Sequence, residues 1–214
     1  MTPTQILTAA RNKYNSVGDS FYSDAELLSL LWEACNTLAN ECFLIERTYS
    51  TSTVANQQEY SYPSNTIAIK RITYNGNKLK PITFREDDTL SLNNQTTTAT
   101  GTPQFYAIWN ETLYLRPVPS AVGTLKVFAY VEPQELSITS SLETPTQTHM
   151  PCVNYLVSEM CAKDENLVMA KFYADKWAED LNRIKRWQQK KRRGDAFNTV
   201  LCEEQLQETI LGQV

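Results

Sequence analysis

The sequence predicts an α+β protein in which a small antiparallel β-sandwich or barrel is inserted into an α-helical bundle. Apolar residues recur at helical spacing before residue 46 and again after residue 149. Between these positions the chain becomes rich in Thr, Asn, Ser, Tyr and Ile, with turn signals between short runs. The predicted regions are N-terminal helices over 1–46, a β domain over 47–148, two closing helices over 149–193 and a C-terminal arm over 194–214.

The composition limits the classes of protein to consider. The chain has 214 residues, of which 42% are hydrophobic, enough for the core of one large or two small domains. Apolar runs such as Leu27 to Trp32 are far shorter than the roughly 18 residues that cross a bilayer. The first residues lack the apolar core of a secretory signal. We therefore expect no membrane span and a protein that acts in the cytoplasm where it is made.

The first region is predicted to hold a short amphipathic helix around residues 5–14 and, after Gly18, a longer helix. Ser23 followed by Glu26 predicts a capping box at the start of the longer helix. Its apolar residues recur at intervals of three and four, which forms one stripe that must pack on another helix. The stripe consists of Leu27, Leu31, Ala34, Leu38, Cys42 and Ile45.

The second region is predicted to consist of short strands joined by tight turns. Asn75-Gly76 predicts a hairpin with arms at 67–74 and 78–84, because both central residues of a type I′ turn need positive φ. A shift in the apolar alternation along the first arm predicts a β-bulge. A second turn is expected at Asn110-Glu111, within a series of short strands between Gly101 and Pro133.

The third region is predicted to form a helix over 153–162, with Pro151 in its first turn, and a long helix over about 166–193. The seam that packs the long helix on its neighbour is expected to contain Leu167, Ala170, Ala174, Trp177, Leu181 and Ile184. Four large residues, Val168, Met169, Phe172 and Tyr173, lie off that seam. Because a helix that is apolar all round is buried all round, they are expected either at a subunit interface or deep within one chain.

The end of the long helix is strongly basic, although the whole chain has a net charge of −4. The segment contains Arg183, Lys185, Arg186, Lys190, Lys191, Arg192 and Arg193 and no acidic residue. Such a stripe suits phosphate oxygens of DNA or an acidic partner surface. The alternative is a solvated helix end, since basic residues there are favoured by the helix dipole.

The sequence does not predict catalysis, a metal site or a cofactor. The one histidine, His149, has no nucleophile motif around it and is expected at the surface. The adjacent acids at 86–88 and 203–204 are poorly spaced for a metal ion. The five cysteines show no CxxC spacing and are expected to pack as small apolar residues.

The last region carries scattered apolar residues in a polar segment after Gly194. They are Phe197, Val200, Leu201, Leu206, Ile210 and Leu211. Such a segment cannot bury itself alone, so it is expected either to become ordered on a partner or to fold back as a small helix on its own body.

In the order of its elements the chain resembles the head-to-tail adaptor (connector) proteins of tailed bacteriophages, in particular the tail tubular protein A-like and gp6-like connector groups. The resemblance covers nearly the whole chain and includes the helices at both ends. Between them it depends on four short motifs in order: Tyr60-Ser-Tyr-Pro63, Gly101-Thr-Pro-Gln-Phe-Tyr106, Leu113-Tyr-Leu-Arg-Pro-Val-Pro119 and Tyr130-Val-Glu-Pro133.

The resemblance implies a virion structural protein rather than an enzyme. It implies a ring, commonly a dodecamer, that binds beneath the portal protein and above the tail nozzle and surrounds the DNA channel. The helices would form the ring wall, and the segment from Phe197 to Leu211 would be the portal-docking arm. The alternative hypothesis is a DNA-binding or genome-packaging module that uses the basic helix at 183–193, and a metal-dependent nuclease is a remote third.

Overall fold

The computed structural model describes residues 1–16, 21–86, 100–138 and 141–193, without the side chains of Arg192 and Arg193. These residues divide into two compact units. A helical unit contains residues 1–44 and the described residues from 133 onward, and a β unit contains residues 45–132. The α+β class is therefore confirmed.

The helical unit contains four α-helices and one short 3₁₀ helix. Their bounds are α1 Pro3–Tyr14, α2 Asp24–Cys42, the 3₁₀ turn Thr146–Thr148, α3 His149–Lys163 and α4 Leu167–Arg193. The helix N-termini follow local chemistry: Thr2 and Gln5 form a reciprocal capping box at α1, and the Ser23 side chain accepts from the Glu26 amide at α2. The Glu26 carboxylate instead binds Lys163 at 2.7 Å.

Helix α3 lies against α1, α2 and α4, and the core of the unit surrounds it. The predicted stripe is buried in α2 from Leu27 to Cys42 and faces this core, as do Leu156 and Met160 of α3. The assignment of Ile45 to the stripe is wrong, because α2 ends at Cys42 and Ile45 belongs to the β unit. Each large aliphatic side chain buried in this way stabilises the fold by about 1.5–3 kcal/mol. Cys35, Cys42, Cys152 and Cys161 are free and buried, which confirms the prediction for these four cysteines.

The segment 133–148 belongs to the helical unit, although the sequence analysis placed it with the strands. The Thr4 hydroxyl donates to the Ile138 carbonyl at 3.0 Å, which joins this segment to α1. The expectation of an exposed His149 is wrong for the same reason. His149 begins α3 and is buried, with Nε2 3.2 Å from the Thr144 carbonyl. Burial, followed by the nearby amino group of Met1, lowers the pKa of His149.

The described residues of the β unit form ten short strands. Their bounds are β1 Glu46–Ser52, β2 Glu59–Ser61, β3 Thr66–Tyr74, β4 Asn77–Lys78, β5 Lys80–Pro81, β6 Thr100–Gly101, β7 Phe105–Trp109, β8 Thr112–Arg116, β9 Val118–Pro119 and β10 Thr124–Val131. They form sheets of order β1-β10-β3-β4, β2-β8-β7-β5 and β6-β9. The pairs β5-β7 and β6-β9 are parallel and the others antiparallel. Within the described residues the sheets are open, so no closed barrel is present.

Two tight turns of the β unit are those that the sequence predicts. Asn75 and Gly76 have φ of 47° and 84°, and Asn110 and Glu111 have φ of 46° and 59°. The predicted bulge is present in β3, where the register against β10 shifts near Lys70.

The second predicted arm, 78–84, is wrong beyond Lys78. The Leu79 amide still donates to the Ile72 carbonyl of β3, whereas the Lys80 amide donates to the Gln104 carbonyl, both at 2.9 Å. The chain thus leaves β3 after Leu79 and joins the second sheet as β5, parallel to β7.

Candidate functional site

The inward face of α4 agrees with the predicted seam at Ala170, Trp177, Leu181 and Ile184 and departs from it at two positions. Trp177 packs on the ring of Tyr155 in α3, with centroids 5.2 Å apart, and Ile184 is buried. Gln188 donates through Nε2 to the Phe43 carbonyl at 3.0 Å, which ties α4 to the end of α2. Leu167 and Ala174 are exposed, so their assignment to the seam is wrong.

Tyr173 occupies the inward position that the sequence analysis gave to Ala174. It is half-buried and its ring lies 4.8 Å from Nζ of Lys13 in α1. Residues 173 and 174 are adjacent and differ by about 100° around the helix, so the rotation of α4 about its axis decides which of them faces the core. The larger side chain takes that place, because it reaches α1 within the same unit.

Four large apolar side chains near the start of α4 are exposed, Leu167 among them, and we call the other three, Val168, Met169 and Phe172, the α4 apolar surface. Val168 is 81% exposed, Phe172 48% and Met169 39%. Lys176 lies beside them, with Nζ 4.3 Å from the centre of the Phe172 ring. The first half of α4 thus carries an apolar surface that the described residues of the chain leave open, with one cation at its margin.

The basic end of α4 is partly neutralised within the chain. Arg183 pairs with Asp180 at 2.6 Å, one turn away, and Lys185 of α4 pairs with Glu41 of α2 at 2.6 Å. Lys191 lies over the ring of Trp187, 5.6 Å from its centre. These contacts leave less free charge on the helix than its composition indicates.

Two further basic residues of α4, Arg186 and Lys190, are exposed and form no ion pair with another described residue. The side chains of Arg192 and Arg193 lie outside the described part of the chain. The part of the predicted stripe that remains open to an external anion therefore includes Arg186 and Lys190.

A second apolar surface lies on α2, and the sequence analysis did not identify it. Leu28 and Trp32, one turn apart, line a groove of about 360 Å³ together with Leu136 and Glu135 from the segment before α3. Trp32 is 36% exposed. The spacing of Leu28 and Trp32 away from the buried stripe was the available signal, whereas their contact with residues 135 and 136 depends on the fold.

An acidic and aromatic cluster connects α2, α3 and α4 at the edge of the core. Glu159 of α3 is half-buried, and burial together with the nearby Glu33 of α2 raises its pKa. Burial, Glu159 and Glu33 also raise the pKa of Tyr155. The cluster places a carboxyl that resists ionisation at the edge of the α3 core.

Other predicted site residues lie outside the described residues. These include the arm residues Phe197, Val200, Leu201, Leu206, Ile210 and Leu211, and the acidic residues at 87, 88, 203 and 204. Among the residues that the structure does describe, no group of three or more His, Cys, Asp or Glu side chains is placed to hold a metal ion. None of the described helices is both long and apolar enough to cross a membrane.

An open apolar helix surface beside a basic one is typical of proteins that work through contacts with other macromolecules. Comparison with known protein families identifies the family to which the chain belongs. The model of the SU10 adaptor protein family matches residues 1–200, and the chain therefore belongs to that family. It is a phage adaptor family, so the chain is a structural protein of the virion. No curated protein matches the chain.

Proposed function

We propose that the chain is a head-to-tail adaptor whose copies form a ring of twelve subunits. The ring would lie beneath the portal protein and above the tail nozzle. The ring would surround the DNA channel and link the head to the tail. The observation that carries this proposal is the exposure of Val168, Met169 and Phe172 on a helix of a phage adaptor.

The physical basis of the ring is the cost of leaving large apolar side chains in water. Covering a fully exposed side chain of this size is worth about 1.5–3 kcal/mol, and covering one that is already half-buried is worth less. Three such side chains on one helix still favour contact with a partner. A ring repeats the same contact at every subunit by symmetry. Modest pairwise contacts are then sufficient for a stable collar, because every subunit is held on two sides.

The remaining predicted partners are assigned to other parts of the chain. The arm residues from Phe197 to Leu211 would dock on the portal, since they are apolar residues in a polar segment without a core of their own. The exposed Arg186 and Lys190 would face either DNA in the channel, without sequence preference, or an acidic surface of a tail protein.

The ring is tested by replacing the α4 apolar surface in the full-length chain. In sedimentation velocity the wild-type protein is expected to form a closed oligomer, whereas a Val168→Asp and Phe172→Asp double variant should sediment as a monomer with an unchanged circular dichroism spectrum. Val122→Asp is a matched control, because Val122 is 69% exposed in the β unit. Assembly of the double variant to the wild-type size would contradict the proposal.

A second candidate function, DNA binding by the basic end of α4, is favoured by the exposure of Arg186 and Lys190. Duplex affinity should then fall steeply with salt, and the slope of log K against log salt should become about 2 units shallower when both residues are replaced by Ala. Lys185→Ala is the control, since Lys185 already pairs with Glu41. A salt slope that the double replacement leaves unchanged would exclude this role for the two residues.

A further inference from the structure

We infer that the groove on α2, lined by Leu28, Trp32 and Leu136, is the site that receives the α4 apolar surface of the next subunit. This inference rests on the proposed ring and names the second half of its subunit contact. The first observation behind it is that the groove is apolar, open and formed by a tryptophan. Tryptophan is the residue type that most often dominates the energy of a protein interface.

The second observation is that α2 and α4 touch each other on the sides that these surfaces do not occupy. Nζ of Lys185 lies 2.6 Å from the Glu41 carboxylate, and Gln188 donates to the Phe43 carbonyl at 3.0 Å. These two contacts fix which side of each helix faces the other within the helical unit.

The helical repeat then places the two apolar surfaces on opposite sides of that unit. At about 100° per residue, Trp32 lies about 180° from Glu41 around α2. On α4, Met169 lies about 160° from Lys185, Phe172 about 140° and Val168 about 100°. The groove therefore faces away from α4, and Met169 and Phe172 of the α4 apolar surface face away from α2, with Val168 to one side.

This opposite placement determines the type of symmetry that the contact generates. If two copies met through the same surface, the contact would close on itself and stop at a dimer. A contact between two different surfaces leaves one of each free, so it continues from subunit to subunit and closes into a ring when the rotation allows it.

Charge at the margins of the two surfaces is complementary. Lys176 borders the α4 apolar surface and forms no ion pair with another described residue, although its ammonium lies over the Phe172 ring. Glu135 lines the groove and is exposed, also without an ion pair in the described part of the chain. When Phe172 enters the groove, Lys176 of one copy is expected to approach Glu135 of the next, which fixes the register of the contact.

The inference is tested by mixing two full-length variants that each lack one surface. The first is the Val168→Asp and Phe172→Asp variant, which keeps its groove, and the second is Trp32→Asp, which keeps its α4 apolar surface. Each variant alone should sediment as a monomer. A one-to-one mixture should shift to twice the monomer mass, because the intact groove of the first binds the intact α4 surface of the second and the chain then ends.

A charge exchange provides a second measurement that does not depend on the folding of Trp32→Asp. Lys176→Glu and Glu135→Lys should each weaken assembly, and the double exchange in one chain should restore it toward the wild type. Val122→Asp again serves as the control for Lys176→Glu, since it also makes an exposed position more negative, but in the other unit.

The outcomes separate this inference from the proposed ring. If Trp32→Asp assembles to the wild-type size, or if the mixture contains monomers alone, the groove is not the acceptor although the ring stands. If the Val168→Asp and Phe172→Asp variant assembles normally, the α4 apolar surface does not hold the ring together, and the proposed function is no longer supported by the exposure of that surface. If the double charge exchange restores assembly, the inference is supported. If the two single exchanges weaken assembly additively in the double variant, Lys176 does not approach Glu135 of the next copy, and the predicted register of the contact is overturned.

Discussion

Helices α3 and α4 are neighbours in the chain, and both are rich in apolar residues near the turn that joins them, but the structure uses them in opposite ways. Ten of the fifteen residues of α3 are buried, among them polar ones such as Asn154 and Ser158. In the first seven residues of α4, 167–173, no residue is buried to the same degree.

The difference teaches that apolar content alone does not identify the partner of a helix. The residues of α3 are covered by α1, α2 and α4 within the same unit. The first turns of α4 have only one side against that unit, and Val168 and Phe172 are left on the other. We attribute the apolar residues of α3 to folding and those of the α4 apolar surface to assembly, and four substitutions test this division.

The largest effect on the folding of one chain is expected in α3. Leu156 is fully buried, so Leu156→Ala removes buried methyl groups and leaves a cavity. The free energy of unfolding should fall by about 2–5 kcal/mol. Urea denaturation of the isolated protein measures this change, and a decrease below about 1 kcal/mol would show that α3 is not the centre of the core.

A smaller effect is expected at the C-terminal end of α3, where Lys163 joins it to α2. Its ammonium binds the Glu26 carboxylate at 2.7 and 2.8 Å, donates to the Phe21 carbonyl at 3.0 Å and lies 4.5 Å from the Phe21 ring. Because both charged groups are partly exposed, Lys163→Ala should cost about 1 kcal/mol. The same denaturation measurement checks it, with Lys171→Ala on the exposed side of α4 as the control.

Glu159 provides a pH-dependent test of burial at the edge of α3. Its pKa is raised by burial and by Glu33, so the folded protein binds the proton more tightly than the unfolded chain does. Stability from this group is therefore complete at low pH and is lost as the pH rises through the raised pKa.

Glu159→Gln removes that loss, because an amide does not ionise. At pH 7 the variant should unfold at a higher urea concentration than the wild type. The difference between the two urea midpoints should become smaller as the pH falls toward about 4, the ordinary pKa of a glutamate. Glu179→Gln, on the exposed side of α4, is the control. An equal difference in urea midpoint at pH 7 and at pH 4 would exclude the ionisation of Glu159 as the cause of the change in stability.

The smallest effect on the isolated chain is expected in the α4 apolar surface. In a solution dilute enough to keep both proteins monomeric, Phe172→Ala should change the free energy of unfolding by no more than about 0.5 kcal/mol, as is usual for a surface position. The difference between this small loss of stability and the large loss expected for Leu156→Ala compares the α4 apolar surface with α3 most directly. A loss of 2 kcal/mol or more at Phe172 would mean that its side chain supports its own chain instead of a partner.

Local patterns in the sequence predicted the parts of the fold that depend on local chemistry. The stripe of α2 as far as Cys42, the cap at Ser23 and the turn at Asn75-Gly76 were correct, because helical period, capping and positive φ act within a few residues. The second hairpin arm was wrong beyond Lys78, since its true partner, β7, lies more than twenty residues further along the chain.

The surfaces were harder to predict for the same reason. The sequence identified the large off-seam residues of α4, but it did not fix the rotation that places Tyr173 inward and leaves Ala174 exposed. The burial of His149 and the groove beside Trp32 both depend on the segment 133–148, which packs with the helices. No pattern within that segment indicates which unit it joins.

The most direct test of the central claim is an electron cryomicroscopy map of the adaptor in the assembled particle, at a resolution that shows side chains. The account predicts that Val168, Met169 and Phe172 of every subunit are covered by a neighbouring copy around the DNA channel. A map in which these three side chains face solvent, or are covered by residues of their own chain, would contradict it.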